Sequence, residues 1–254
     1  MDKKQELMSR KFGLLGRNIS YSFSKGYFTE KFKTLGLDDH SYVNFDVPEI
    51  EDIVAIVKNT EDLVGFNITI PYKEAIFPYL SDVDPKAKAI GAINVVKVQE
   101  SGLKGFNTDV IGFQRSIAPH LKSGHKKALI LGTGGASKAV VHALSSLGLS
   151  CQLVSRTAGE DKWSYEQLDK EIMEQYTVIV NCTPLGTFPN IEDKPDIAYQ
   201  YITEAHLVYD LIYNPETTSF MKHAQDKGAT ALNGHQMLKL QAEAAWEIWN
   251  DTTK

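Results

Sequence analysis

Residues 126–141 read KKALILGTGGASKAVV. A short apolar run over 128–131 stops at Gly132-Thr133-Gly134-Gly135-Ala136-Ser137, and a helix-type pattern follows. Strand, glycine turn and helix in that order present bare backbone N–H groups and the positive end of a helix to a pyrophosphate. The spacing Gly132-x-Gly134-x-x-Ser137 matches the dinucleotide fingerprint at two of its three glycines, with serine third. It also has the strand before it and the helix after it that the motif requires. The loop lies mid-chain, behind well over a hundred residues that must do something else. That layout predicts a cofactor domain preceded by a substrate domain.

Downstream of the loop, 152–155, 178–181, 207–211 and 230–232 read as further strands, with helical patterns between most of them. Such alternation implies a parallel sheet with right-handed crossovers. Residues 234–249 read as a last helix, with Met237, Leu240, Ala244 and Ile248 along one packing stripe. Upstream, 110–118 and 24–35 read as helices, the second ending at Gly36. Residues 12–16, 42–46 and 63–70 are strand-like. Pro48-Glu49 opens a helix through Val57, with Ile50, Ile53, Val54 and Val57 at helical spacing. Pro71 suits the first turn of another helix, which would place Lys73 one turn in. Residues 95–99 and 103–106 form a hairpin around Ser101-Gly102. The domain boundary falls near Asp109.

Bulk properties narrow the function. The chain has 254 residues, enough for two modest domains. A net charge of −5 argues against a nucleic-acid binder, which shows a basic face. No apolar run approaches the roughly 18 residues that span a bilayer. The N-terminal MDKKQELMSRKF has no apolar stretch of signal-peptide length, so a cytoplasmic location is expected. Cys151 and Cys182 sit in or beside apolar strand-like runs and read as buried thiols. The seven histidines are scattered, and no His/Cys cluster has metal spacing, so no metal is expected. The expected partner is a small molecule, with neither nucleic acid nor membrane. Monomer and homodimer both remain open.

The second strand of the later series ends in Ser155-Arg156-Thr157. An NAD-preferring site usually puts an acid about 20 residues past the glycines to hold the ribose 2′-hydroxyl. Arg156 lies 24 residues past Gly132. An arginine cannot accept those hydroxyl hydrogens, but it pairs bidentately with a 2′-phosphate and stacks on adenine. NADP is therefore expected over NAD, although Glu160 and Asp161 follow closely and no second arginine supports Arg156. Asn181-Cys182-Thr183 closes another strand, where Thr183 would face the cofactor.

Three features of the first half belong together. Ser22 and Ser24 alternate in a loop; taken alone they read better as a helix N-cap, and their hydroxyls can also bind a carboxylate. Asn67-Ile68-Thr69-Ile70-Pro71-Tyr72-Lys73 places a lysine just past a strand end. Gly91-Ala92-Ile93-Asn94 and Gly105-Phe106-Asn107-Thr108-Asp109 sit where the domains join. With the glycine loop, Ser155-Arg156-Thr157 and the closing Gly234-x-x-Met237-Leu238-x-x-Gln241, the ordered motifs resemble the shikimate dehydrogenase family over nearly the whole chain. One departure stands out. Relatives commonly carry proline and then histidine soon after the second serine, where this chain has Lys25-Gly26-Tyr27-Phe28.

The resemblance implies NADPH-dependent reduction of 3-dehydroshikimate to shikimate in aromatic amino-acid biosynthesis. It implies two α/β domains: an N-terminal substrate domain over 1–108 and a C-terminal Rossmann-like, doubly wound NADP domain over 109–234. The last helix, 235–254, would return to pack on the first. Ser22 and Ser24 would bind the substrate carboxylate, and Thr69, Asn94 and Gln241 would bind ring hydroxyls or shape the pocket. Tyr213 would reach the cleft, and Lys73 and Asp109 would be the catalytic pair. The cofactor set is Gly132, Thr133, Gly134, Gly135, Ala136, Ser155, Arg156, Thr157, Thr183 and Gly234. Hydride addition to a ketone leaves negative charge on oxygen, and a protonated lysine can supply the matching proton. An enzyme that also takes quinate with NAD or NADP, and a non-catalytic NADP sensor on the same fold, are the competing readings.

Overall fold

The computed structural model describes residues 9–20 and 22–252. The chain divides into two compact units. One holds the chain up to Thr108 together with the stretch from Ala245; the other is Asp109–Ala244. The division therefore falls inside the last helix rather than ahead of it.

The first unit contains β1 (Arg10–Gly16), α1 (Phe23–Thr34), β2 (His40–Asp46), α2 (Ile53–Asn59), β3 (Leu63–Ile68), β4 (Asp82–Val83), α3 (Pro85–Ile90), β5 (Val95–Gln99) and β6 (Gly102–Phe106). Its sheet runs β2-β1-β3-β5-β6-β4. β1 is parallel to β2 and β3, whereas β5 is antiparallel to both β3 and β6. The C-terminal ends of β1, β3 and β6 and the N-terminal end of β5 consequently share one sheet edge. Side chains alternate across the strands. Leu15, Phe66, Ile68 and Val96 pack with Ile53, Tyr72, Ile76 and Ile93 on one side. Phe12 points to the other, among Phe32 of α1, Trp246 and Trp249.

Helix α1 takes Ser22 as N-cap and buries Phe28 and Phe32, one turn apart. Two expectations need correction. Val54 is exposed, because residues Ile50–Asp52 form a 3₁₀ turn and α2 begins only at Ile53. Pro71 opens no helix: residues 71–76 are turns, after a cis Ile70–Pro71 peptide, and a 3₁₀ turn, Phe77–Tyr79, follows. The Lys73 carbonyl is taken by the Ile93 N–H (2.8 Å) instead of continuing a helical ladder. Pro78 then limits any extension.

The second unit contains α4 (Asp109–Ile117), β7 (Lys127–Leu131), α5 (Gly135–Ser146), β8 (Ser150–Ser155), β9 (Lys162–Ser164), α6 (Lys170–Gln175), β10 (Val178–Asn181), β11 (Leu207–Asp210), α7 (Ser219–Gln225), β12 (Thr230–Leu232) and the first part of α8 (His235–Asn250). All six strands are parallel, in the order β12-β11-β10-β7-β8-β9. This is the doubly wound order. The chain direction across the sheet reverses between β7 and β10, and ligands of such sheets sit beyond the strand ends at that reversal. Residues Ala128, Leu129, Ile130 and Leu131 of β7, and Val178, Ile179 and Val180 of β10, are all fully buried. Strands covered on both faces read as continuous apolar runs, and these do. Among the described residues, no helix is long and apolar enough to cross a membrane.

Candidate active site

In the first unit, the sheet edge gathers the polar motifs. The loop after β1 leads to Ser22, whose Oγ accepts the Lys25 N–H (3.4 Å) and so keeps its own proton for an outside acceptor. Ser24 shares a hydrogen bond with the Tyr42 hydroxyl. Tyr42 in turn donates to Asn67 Oδ1 (2.7 Å), and the Asn67 amide donates to the Asn94 carbonyl (3.3 Å). The Asn94 side chain holds Thr108: Nδ2 donates to Thr108 Oγ1 (3.0 Å), and Oδ1 accepts the Thr108 N–H (2.6 Å). A buried polar chain therefore joins Ser24, Tyr42, Asn67, Asn94 and Thr108. Burial pushes the Tyr42 phenol well above its ordinary range, so it stays a neutral donor.

Thr69 follows β3. Its N–H bonds the Leu15 carbonyl (2.9 Å), and its methyl sits where a Cβ on Gly16 would lie only 2.5 Å away. Lys73 is half-buried, four residues on, with its backbone tied to Ile93 next to Asn94. Thus Ser22, Ser24, Thr69, Lys73 and Asn94 all lie at one edge of one sheet. Asp109, the next residue after Thr108, opens α4 and is buried.

In the second unit, the glycine turn joins β7 to α5. Gly132 has φ +102 and donates its N–H to the Val154 carbonyl (2.8 Å). Gly134 caps α5 without a side chain, and a Cβ there would meet nothing within 4 Å. No acid occupies the first turn of the helix. Open space beside Gly134, with Thr133, Gly135 and Ala136 flanking it and a positive helix end behind, fits a dinucleotide phosphate. The Ser137 hydroxyl turns back to the Gly134 carbonyl (2.6 Å) and firms the turn.

After β8, Ser155 Oγ donates to the Thr157 carbonyl (2.9 Å) and accepts the Thr157 N–H (3.3 Å). This closed turn carries Arg156 at its exposed tip. After β10, Thr183 donates to Asn181 Oδ1 (2.7 Å). Its methyl is 3.1 Å from where a Cβ on Gly132 would stand, so the two turns abut at the reversal point. Asn181 Nδ2 then reaches Asp210 Oδ1 (3.0 Å), and Asp210 also accepts from the Ile212 N–H and Thr218 Oγ1.

Three expected site residues have structural ties of their own. Gly234 lies so close to the Leu211 backbone that a Cβ would be 2.1 Å from its carbonyl oxygen. Gln241 is buried in α8, donates to the Leu238 carbonyl (3.0 Å) and packs where Gly112 leaves room. Tyr213 is half-buried in the segment after β11.

A protein of Caldicellulosiruptor saccharolyticus named shikimate dehydrogenase (NADP(+)) is 35% identical over 95% of this chain and 92% of its own length. The chain belongs to the shikimate dehydrogenase family. The Clostridium botulinum strain Hall shikimate dehydrogenase (NADP(+)) is 36% identical over 93% of this chain and 95% of its own. The family model for the shikimate dehydrogenase substrate binding domain matches residues 14–96, from β1 into β5. The crystal structure of shikimate 5-dehydrogenase from Thermus thermophilus in complex with NADP(H) and shikimate has a TM-score of 0.84 to this chain. It is 30% identical and covers 95% of this chain and 93% of its own.

Sequence reasoning missed Tyr42, Thr108 and Asp210 as parts of this chain's polar networks. Tyr42 carries no motif and reads as a strand residue. Thr108 lies inside the Gly105–Asp109 motif and Asp210 inside the strand read over 207–211, and their burial is what marks them.

Proposed function

We propose that this chain catalyses the reversible NADP-dependent reduction of 3-dehydroshikimate to shikimate, a step of aromatic amino-acid biosynthesis. What carries this is the 35% identity to a shikimate dehydrogenase (NADP(+)) over 95% of the chain, in a chain that has both Lys73 and Asp109. The nicotinamide, when bound, supplies the hydride. Lys73 donates the proton to the ketone oxygen as negative charge develops there. Asp109 accepts a hydrogen bond from a substrate hydroxyl and fixes the ring's orientation. The Ser22 and Ser24 hydroxyls take the substrate carboxylate; Thr69, Asn94, Tyr213 and Gln241 bind or shape the ring's surroundings. The glycine turn cradles the pyrophosphate, with Gly234, Thr183, Ser155 and Thr157 completing the cofactor's surroundings. The exposed Arg156 pairs with the 2′-phosphate.

The enzyme acts in the cytoplasm on a small molecule. Free Cys151 and Cys182 thiols support a reducing compartment. Met237, Ala244 and Ile248 of α8 are buried and Leu240 is half-buried, which supports reading that stripe as packing rather than as a dimer face. The enzyme works as a monomer or as a homodimer.

The test is reduction of NADP and NAD with shikimate and quinate in parallel. Turnover of shikimate with NADP is expected; no turnover with either substrate would favour a sensor. Lys73→Ala should lower kcat by about 10²–10⁴ while NADP binding persists. Near-normal turnover in that variant removes Lys73 from the proton-transfer role.

A further inference from the structure

β1 ends at Gly16, directly opposite Asp46, the last residue of β2. Within the next six residues the chain must leave the sheet and deliver Ser22 to the start of α1. It does so under restraint from β2. Asp46 Oδ1 accepts the Asn18 N–H (2.8 Å), and Oδ2 accepts the Ile19 N–H (3.1 Å). Asn18 itself is left-handed, with φ 57, which turns the chain back at that point. Asn44 lies two residues before Asp46, on the same face of β2. Its amide donates to the Ile19 carbonyl (2.9 Å). The Ser22 N–H donates to the same carbonyl (3.2 Å). The peptide groups on both sides of Ile19 are therefore fixed from β2, three residues before the first serine. Tyr21, between them, lies outside the described residues.

We propose that Asp46 is a positioning residue that sets the path of the serine loop, and through it the affinity for the substrate carboxylate. The inference rests on the reading of Ser22 and Ser24 given above. Asp46 is exposed, and water can satisfy the two N–H groups in its absence. Its loss therefore frees the loop without exposing a core. The ordering cost then falls on substrate binding, not on the chemical step. The clamp also bears on the chain's departure from its relatives. With Lys25-Gly26 in place of the usual proline and histidine, rigidity ahead of the serines comes from β2.

The test is steady-state kinetics of Asp46→Ala, with Ser22→Ala, Ser24→Ala and the Asp46→Ala/Ser22→Ala double variant in parallel. Asp46→Ala should raise KM for shikimate about tenfold, with kcat and KM for NADP within about twofold. Asp46→Asn, whose Oδ1 still accepts one N–H, should recover part of the loss. Asp46→Ala should add little on the Ser22→Ala background, since both act through one contact. An unchanged shikimate KM in Asp46→Ala, beside a raised one in Ser22→Ala, overturns the inference and leaves the serine reading standing. Unchanged KM in both serine variants, beside a raised one in Asp46→Ala, keeps the loop assignment and overturns the serine reading. A fall in kcat with a lowered unfolding midpoint, unrelieved by Asp46→Asn, marks a folding defect and overturns the positioning role.

Discussion

Asp210 carries a conflict between burial and hydrogen bonding. It is fully buried at the end of β11 and accepts from Asn181 Nδ2 (3.0 Å), the Ile212 N–H (3.0 Å) and Thr218 Oγ1 (2.6 Å). Burial is the larger effect and pushes its carboxyl up to about 6, against the lowering by those three donors. Between the ordinary carboxylate range and about pH 6, the folded chain holds a proton that the unfolded chain has released. Stability from this group is thus full at acidic pH and falls as pH rises from about 4 to about 6, by roughly 3 kcal/mol at most. Asp210→Asn should flatten that slope while keeping the acceptor for Ile212. Urea midpoints of both proteins across this range check it; parallel slopes would mean that Asp210 is ionised throughout. Nothing in Tyr209-Asp210-Leu211 announces this in the sequence, because desolvation belongs to the assembled sheet.

The β7–α5 turn separates two uses of glycine. Gly132 sits at φ +102, and an added Cβ would lie 3.1 Å from Thr183 Cγ2 and 3.2 Å from the Cys182 backbone. Gly132→Ala should cost about 1–3 kcal/mol of stability, read from urea unfolding without cofactor. Gly134 has φ −81, where any residue fits, and open space around its Cβ position. Gly134→Ala should leave stability within about 0.5 kcal/mol yet weaken NADP binding at least several-fold, because the methyl takes the ligand's space. Equal NADP affinity in that variant, measured by fluorescence titration, would contradict the cradle. The strand–turn–helix unit is legible because its period and punctuation agree. The segment 71–76 was not legible, since proline permits a helix start but the long-range bond from Ile93 to Lys73 overrides it. β4 and β9, of two and three residues, are too short for any period to register. α3 did carry a readable signal: Asp84 caps it, Pro85 opens it, and Gly91 ends it at φ 73.

At the scale of the molecule, the end of the chain completes its beginning. Trp249 is 2% exposed; its ring lies 5.0 Å from Phe12 and 5.4 Å from Phe28, and its Nε1–H bonds the Val96 carbonyl (3.0 Å). It fits because residue 65 is glycine: a Cβ there would stand 2.4 Å from the indole nitrogen. Trp249→Ala should cost about 3–5 kcal/mol in the first unit, abolishing shikimate turnover at modest denaturant while NADP binding survives. Loss of NADP binding at the same denaturant concentration would show that the two units do not unfold separately. The sequence by itself determined the parallel nucleotide-binding sheet, its glycine turn, the arginine after the second strand and the order of the polar motifs, because these are local patterns of period, punctuation and spacing. Only the tertiary structure decided that the β5–β6 hairpin sets β5 against β3 and brings Asn94 beside Lys73's turn, that Tyr42 links Ser24 to Asn67, and that Asp46 holds the serine loop. Strand pairing and desolvation depend on residues distant in the chain, and no local spacing encodes them.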